Sequence, residues 1–180
     1  RLTPSILKYM TNAEPRSIIT LRRAEDTDLE AVLQLNEISV PAVNSVDLEQ
    51  MRWFAANAAY FSVATHNEQF AGFLIGMRPG TSYASPNYRW FCEKYDDFGY
   101  IDRIAIAASA RRLGLATRLY RDFEASLPPC VGVLTCEVNV VPPNESSMRF
   151  HEDYGFRAVG TQTLDDGRKE VALMARERSA

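Results

Sequence analysis

The sequence predicts a single α/β (α+β) domain, with a central mixed sheet of six to seven strands flanked by about four helices. Three observations predict it. A length of 180 residues suits one domain. Segments with strand and helix periodicity alternate as β-α-α-β-β-β-α-β-α-β-β, an order that calls for a mixed sheet. No internal repeat or linker divides the chain, so residues 17–180 read as one domain and residues 1–16 as an N-terminal extension. Apolar residues make up 46% and charged residues 24%, ordinary globular usage that permits a full core.

"SIITLRRA" (Ser17 to Ala24) is β-branched and alternating, as a first strand is. "TDLE" from Thr27 has the form of a capping box opening a helix, with Leu29, Val32, Leu33 and Asn36 along one side. Pro41 ends that stretch. "DLEQMRWFAANA" forms a second helix with Asp47 as N-cap. "YFSVAT" and "QFAGFLIGM" are two strands of a hairpin turning at His66 to Glu68. From Arg78 to Asp97 the periodicity breaks, and Pro, Gly and Ser mix with Tyr83, Tyr88, Trp90, Phe91 and Tyr95. A long loop is expected there, its aromatics forming a wall or lid or else packing on the core.

"YIDRIAIA" (Tyr100 to Ala107) is the next strand. Ala116, Leu119, Tyr120, Phe123 and Leu127 then fall at the spacing of one buried helix face, and Pro128-Pro129 stops that helix. "VGVLTCEV" is a further strand, "PNESSMRFHEDY" a short helix, and "FRAVGTQTL" with "KEVALMAR" a final hairpin across "DDGR".

Several function classes are excluded by composition. A net charge of −3 argues against nucleic acid as a partner. No apolar run approaches ~18 residues, so no membrane partner is expected. The opening "RLTPSILKYMTNAEPRS" lacks an apolar core and cleavage site, so no secretory signal is expected. Cys92, Cys130 and Cys136 are odd in number and have no zinc spacing. They read as reduced thiols of a cytoplasmic protein, with no metal site and no nucleophilic cysteine.

"RRLGLATRLY" (Arg111 to Tyr120) raises the sharpest chemical question. A helix N-terminus has unpaired N–H groups and the positive end of the dipole, a glycine lets a ligand approach, and arginines add charge. Those are the parts of a phosphate site, although neither a P-loop nor a full G-x-G-x-x-G is present. Arg111-x-x-Gly114-x-Ala116, between an apolar strand and an amphipathic helix, resembles the R/Q-x-x-G-x-G/A signature of the GNAT superfamily of acetyl-CoA-dependent N-acetyltransferases. Asn144, Ser147, Gly155 and Phe156 resemble its second block in order and spacing, and the resemblance runs from about Ile18 to Arg176.

The resemblance implies a GNAT-like, mostly antiparallel sheet and acetyl-CoA as co-substrate, with no metal. It implies that Ile104, Ala105 and Ile106 pair with the pantetheine arm. Arg111, Arg112, Leu113, Gly114, Leu115, Ala116 and Thr117 would hold the pyrophosphate, and Asn144 would bond the pantetheine chain while also suiting a helix N-cap. Many members carry a tyrosine acid where this chain has His151, so His151 or Tyr154 is expected to protonate the thiolate. Glu137 in "TCEV" and Asp102 in "YIDRI" are the two candidates for the base, with a water relay as the third. By alternation Glu137 faces away from Cys136 and Val138, toward a cleft if those two are core. The implied reaction is direct attack of a primary amine on the thioester, the acceptor being a small molecule or a peptide. A homodimer is compatible with this reading. A family module that binds acyl-CoA as a regulator or partner, without turnover, is the alternative.

Overall fold

The structure, a computed structural model, describes residues 17–178. The expected extension at residues 1–16 lies outside the described residues. Seven strands form one sheet in the order β1-β2-β3-β4-β5-β7-β6. They are β1 (Ile19–Arg23), β2 (Tyr60–His66), β3 (Gln69–Met77), β4 (Gly99–Ile106), β5 (Val133–Val141), β6 (Arg157–Leu164) and β7 (Lys169–Glu177). Among the described residues five helices flank it: α1 (Leu29–Ile38), α2 (Leu48–Asn57), α3 (Pro86–Lys94), α4 (Leu115–Ser126) and α5 (Glu145–Tyr154). Among the described residues no helix is long and apolar enough to cross a membrane.

Local chemistry accounts for most of the boundaries. Asn67 and Glu68 both take positive φ, 49° and 66°, which matches the twist of a tight β2–β3 hairpin. The Asp47 carboxylate accepts from the Gln50 amide and starts α2. Asn144 likewise accepts from the Ser147 amide and starts α5, which ends at Gly155 with φ 102°. Two expectations are corrected. The box before α1 is closed by Asp28 accepting from the Glu25 amide, after a short 3-10 turn at Asp26–Asp28, so Thr27 is not the cap. The segment expected as a loop contains α3, capped by Ser85 with Pro86 in its first turn. Proline is well suited to that position because its missing N–H has no partner to lose there.

Both faces of the sheet are covered. Tyr60, Leu74, Ile101, Leu119, Phe123, Cys136 and Val138 pack on the α4–α5 side. Val32, Phe54, Phe73, Phe91, Tyr100 and Leu173 pack on the α1–α2–α3 side. The parallel pairing of β4 with β5 is brief. It runs from Gly99↔Leu134 to Ile101↔Cys136 and stops. Beyond it β4 follows β3 as far as Ile106↔Gly72, while β5 follows β7. The sheet therefore splits between β4 and β5, leaving the inner edge of β4 from Asp102 onward unpaired with β5.

Candidate active site

A cavity of about 300 Å3 lies at the split. Its floor is Ile101–Ile104 of β4 and Cys136, Glu137 and Asn139 of β5. The α1–α2 connection (Ala42–Val46), the stretch Tyr83–Asn87 at the start of α3, and Leu164 and Lys169 of the β6–β7 hairpin form one end. Tyr120 of α4 and Asn144, Ser147 and His151 of α5 form the other. Asn139 ties the floor to the first wall by donating to the Pro41 carbonyl at 2.7 Å.

Glu137 is the first β5 residue past the last β4 partner. Cys136 and Val138 are core on the opposite face, as alternation predicts. The Tyr100 hydroxyl donates to Glu137 Oε2 at 2.7 Å. Burial, reinforced by the nearby Asp102 charge, pushes the Glu137 carboxyl up to about 7, against the opposing pull of Tyr100, Asn87 and Lys169. Burial first, then the Glu137 charge, drives the Tyr100 phenol well above its ordinary range, so it stays a donor.

Asp102 shares the cavity but is already engaged. Ile75 pairs with Arg103 and Gly76 with Ile101, so Asp102 is the extra residue of a β-bulge. A bulge interrupts the two-residue alternation, and Arg103 reaches the same side as Asp102. Arg103 Nε donates to Asp102 Oδ2 at 2.7 Å, with the two side chains 5% and 3% exposed. The same guanidinium donates to Asn36 Oδ1 at 3.0 Å and lies 4.8 Å from the centre of the Phe54 ring. Asp97 is likewise bound, by Arg78 at 2.6 Å.

The candidate acids separate. His151 Nδ1 lies 2.7 Å from the Ser147 carbonyl, which can only accept, so Nδ1 carries the proton and donates. Nε2 then accepts from the Tyr120 hydroxyl at 2.7 Å. Burial lowers the His151 pKa, which favours this neutral form. Tyr154 is directed elsewhere: its hydroxyl donates to Glu124 at 3.2 Å, and Arg176 lies over its ring. It does not line the cavity. Burial also keeps the Cys136 thiol well above its ordinary range, which makes it a poor nucleophile.

The features that suit coenzyme A lie beside the cavity. Gly114 has φ 75° and caps α4, and Arg112 has φ 64°. Among the described residues, none of the amides from Leu113 to Thr117 donates to another backbone group, so the α4 N-terminus presents donors there. A Cβ on Gly114 would meet nothing within 4 Å, so it is the left-handed backbone, and no neighbouring side chain, that calls for glycine there. Ile104, Ala105 and Ile106 form the β4 edge without a β5 partner. Asn144 lines the cavity while its Oδ1 caps α5. Donors, open edge and polar side chain together fit a pyrophosphate followed by an extended, amide-bearing arm.

Sequence reasoning missed Asn87, Tyr120, Asn139 and Lys169. Tyr120 had a signal, since it was read as a buried helix face, but a buried phenol needs a partner and His151 was the available one. The others enter through tertiary contacts that no local pattern encodes.

A family model described as "Acetyltransferase (GNAT) family" matches residues 29–156. No match is found among curated proteins. Ard1 from Thermoplasma volcanium superposes with a TM-score of 0.72 at 18% identity, covering 90% of this chain and 99% of that one. The ribosomal-protein-S18-alanine N-acetyltransferase from Escherichia coli gives 0.68 at 18%, covering 91% and 96%. The putative acetyltransferase yncA from Salmonella typhimurium, solved with its cofactor acetyl-CoA, gives 0.61 at 17%, covering 88% and 93%. These likenesses show the fold. The family match runs through both motifs and through β4 and β5 where they part, and the chain is therefore an acyltransferase that belongs to the acetyltransferase (GNAT) family, a family that uses acetyl-CoA.

Proposed function

We propose that this enzyme is an N-acetyltransferase that moves the acetyl group of acetyl-CoA to a primary amine by direct attack, with Glu137 as general base. The observation that carries this reading is a carboxyl poised near neutrality at the point where β4 and β5 part. A lysine-like amine, with a pKa of about 10.4, is mostly protonated at neutral pH, so a group must take a proton before attack. Glu137 takes it, directly or through a water, and Tyr100 holds the carboxylate in place. Asp102 serves Arg103 and stands in reserve.

Bound acetyl-CoA supplies the activated thioester. The amides of Leu113 to Thr117 and the Arg111 and Arg112 charges would hold its pyrophosphate, and the β4 edge at Ile104–Ile106 with Asn144 would orient its arm. The Tyr120 hydroxyl donates its one proton to neutral His151 Nε2 in the free enzyme and turns from that acceptor to the departing sulfur as charge develops there. At about 300 Å3 the cavity suits a small amine, or the amine end of a peptide, with the rest of the acceptor toward Ala42–Val46. Charge gives a further indication. The three aspartates Asp96, Asp97 and Asp102 would suit a polycation, but Asp97 and Asp102 are bound by arginines and only Asp102 of the three lines the cavity. Free thiols at Cys92, Cys130 and Cys136 support a reducing, cytoplasmic setting.

Calorimetry with acetyl-CoA, followed by thiol release against amino acids, aminoglycosides, polyamines and peptides, tests the proposal. Binding plus thiol release with at least one amine is expected. Tight binding with no release across the panel would contradict it.

A further inference from the structure

The charged side chains that line the cavity are Asp102, Arg103, Glu137 and Lys169. Asp102 and Arg103 cancel, since Arg103 Nε donates to Asp102 Oδ2 at 2.7 Å. Arg103 Nη1 is also taken, by Asn36 Oδ1 and the Asn44 carbonyl. Lys169 has no such counter-charge. It is half-buried, and its Nζ donates to Asn44 Oδ1 at 2.6 Å. Among the described residues no carboxylate pairs with it. An ammonium has three donors, so one neutral acceptor leaves two to spare.

The strand register puts this cation and the base on one face. Glu137 pairs with Leu173 and Asn139 with Val171. Leu173 and Val171 pack on the α1–α2–α3 side, and Lys169, two residues before Val171, faces the same way. From Leu173 to Lys169 is roughly 13 Å of strand. The long Glu137 and Lys169 side chains close part of that span, and the Lys169 charge is near enough to favour the ionised form of Glu137. The Asn44 contact holds the ammonium between the α1–α2 connection and the β6–β7 hairpin, at the end of the cavity away from α4 and α5. An acceptor that offers its amine to Glu137 therefore extends toward Lys169. A second cation on that acceptor would meet like charge, whereas a carboxylate would meet a charged donor. We propose that Lys169 is the acceptor-specificity residue of this enzyme: its ammonium binds a carboxylate that the acceptor carries a few bonds from its reacting amine, so the substrates are amino-acid-like and not polyamines. This rests on the acetyltransferase reading above and deepens it.

The test uses the full chain and acceptors in matched pairs, acid against amide. One pair is L-phenylalanine with L-phenylalaninamide, which reads the carboxylate of a free amino acid. The other is alanylglutamate with alanylglutamine, both as C-terminal amides, which reads an acidic side chain at a peptide end. Binding is measured by calorimetry to enzyme saturated with coenzyme A, where no transfer occurs, and turnover by thiol release with acetyl-CoA. Removing the Lys169 charge also acts on Glu137, so each variant is judged by its acid-to-amide affinity ratio, in which that effect cancels. In at least one pair the ratio should favour the acid and fall roughly ten- to a hundredfold in Lys169→Met, the loss of a hydrogen bond between charged groups. In Lys169→Glu it should fall further and favour the amide. Failure of the wild type to bind either acid, or an unchanged ratio in Lys169→Met, overturns the proposal. Binding of an acid with no thiol release from any acceptor would instead contradict the acetyltransferase reading, and the ratio would still report on Lys169.

Discussion

The hydroxyl of Tyr100 donates to Glu137 Oε2 at 2.7 Å across the two strands that part company one residue later. Tyr100 is fully buried and its own ionisation is suppressed, so the bond has a fixed direction. It stabilises the carboxylate without neutralising it, while burial and Asp102 raise the carboxyl's proton affinity. A base near neutrality results from that balance.

Asp102, the other carboxylate, is expected to act on stability first. Asp102→Asn leaves the Arg103 guanidinium buried without its counter-charge, which typically costs roughly 3–5 kcal/mol. Denaturant unfolding should show that loss, whereas Glu137→Gln should leave the midpoint nearly unchanged or raised at neutral pH. A stable Asp102→Asn enzyme with depressed turnover would move the base role to Asp102.

Gly114→Val should abolish acetyl-CoA binding while the core stays intact. Its φ of 75° is strained for a β-branched residue, and the loop must rearrange to relieve the strain. Arg111→Ala should weaken binding by less than about tenfold, because an exposed charge at a solvated phosphate contributes up to about 1 kcal/mol. Calorimetry on both variants provides the check, and unchanged affinity in Gly114→Val contradicts the pyrophosphate site.

Tyr120→Phe should lower turnover by on the order of 10²-fold, as loss of a single donor to a developing anion does elsewhere. Tyr154→Phe should retain near-wild-type turnover, because that hydroxyl serves Glu124 outside the cavity. Measured side by side in the thiol-release assay, the reverse ranking would return the acid role to Tyr154.

Much of this was legible in the sequence for identifiable reasons. Seven strands followed from local periodicity, and Glu137 could be aimed at the cleft because β5 alternates without interruption from Cys136 to Val138. Asp102 could not be read the same way. Its bulge depends on the register between β3 and β4, and that register brings Arg103 round to clamp it. Helix α3 was hidden because Pro, Ser and aromatics in "SPNYRWFCEK" resemble loop composition, although Ser85-Pro86 is a helix-start signal. The Tyr120–His151 bond spans 31 residues and two helices, and the placement of Asn87 beside Glu137 depends on α3 folding over the split; local periodicity reports neither.

The central claim is that Glu137 is the base, and the pH dependence of kcat/KM tests it most directly. The base works ionised, so in the wild-type enzyme kcat/KM should rise as pH increases through about 7, where the Glu137 carboxyl loses its proton. In Glu137→Gln the rate near neutrality should fall on the order of 10²-fold and that inflection should vanish, leaving only the rise that follows deprotonation of the amine itself. A Glu137→Gln enzyme that keeps both the wild-type rate and the inflection near 7 would contradict the account.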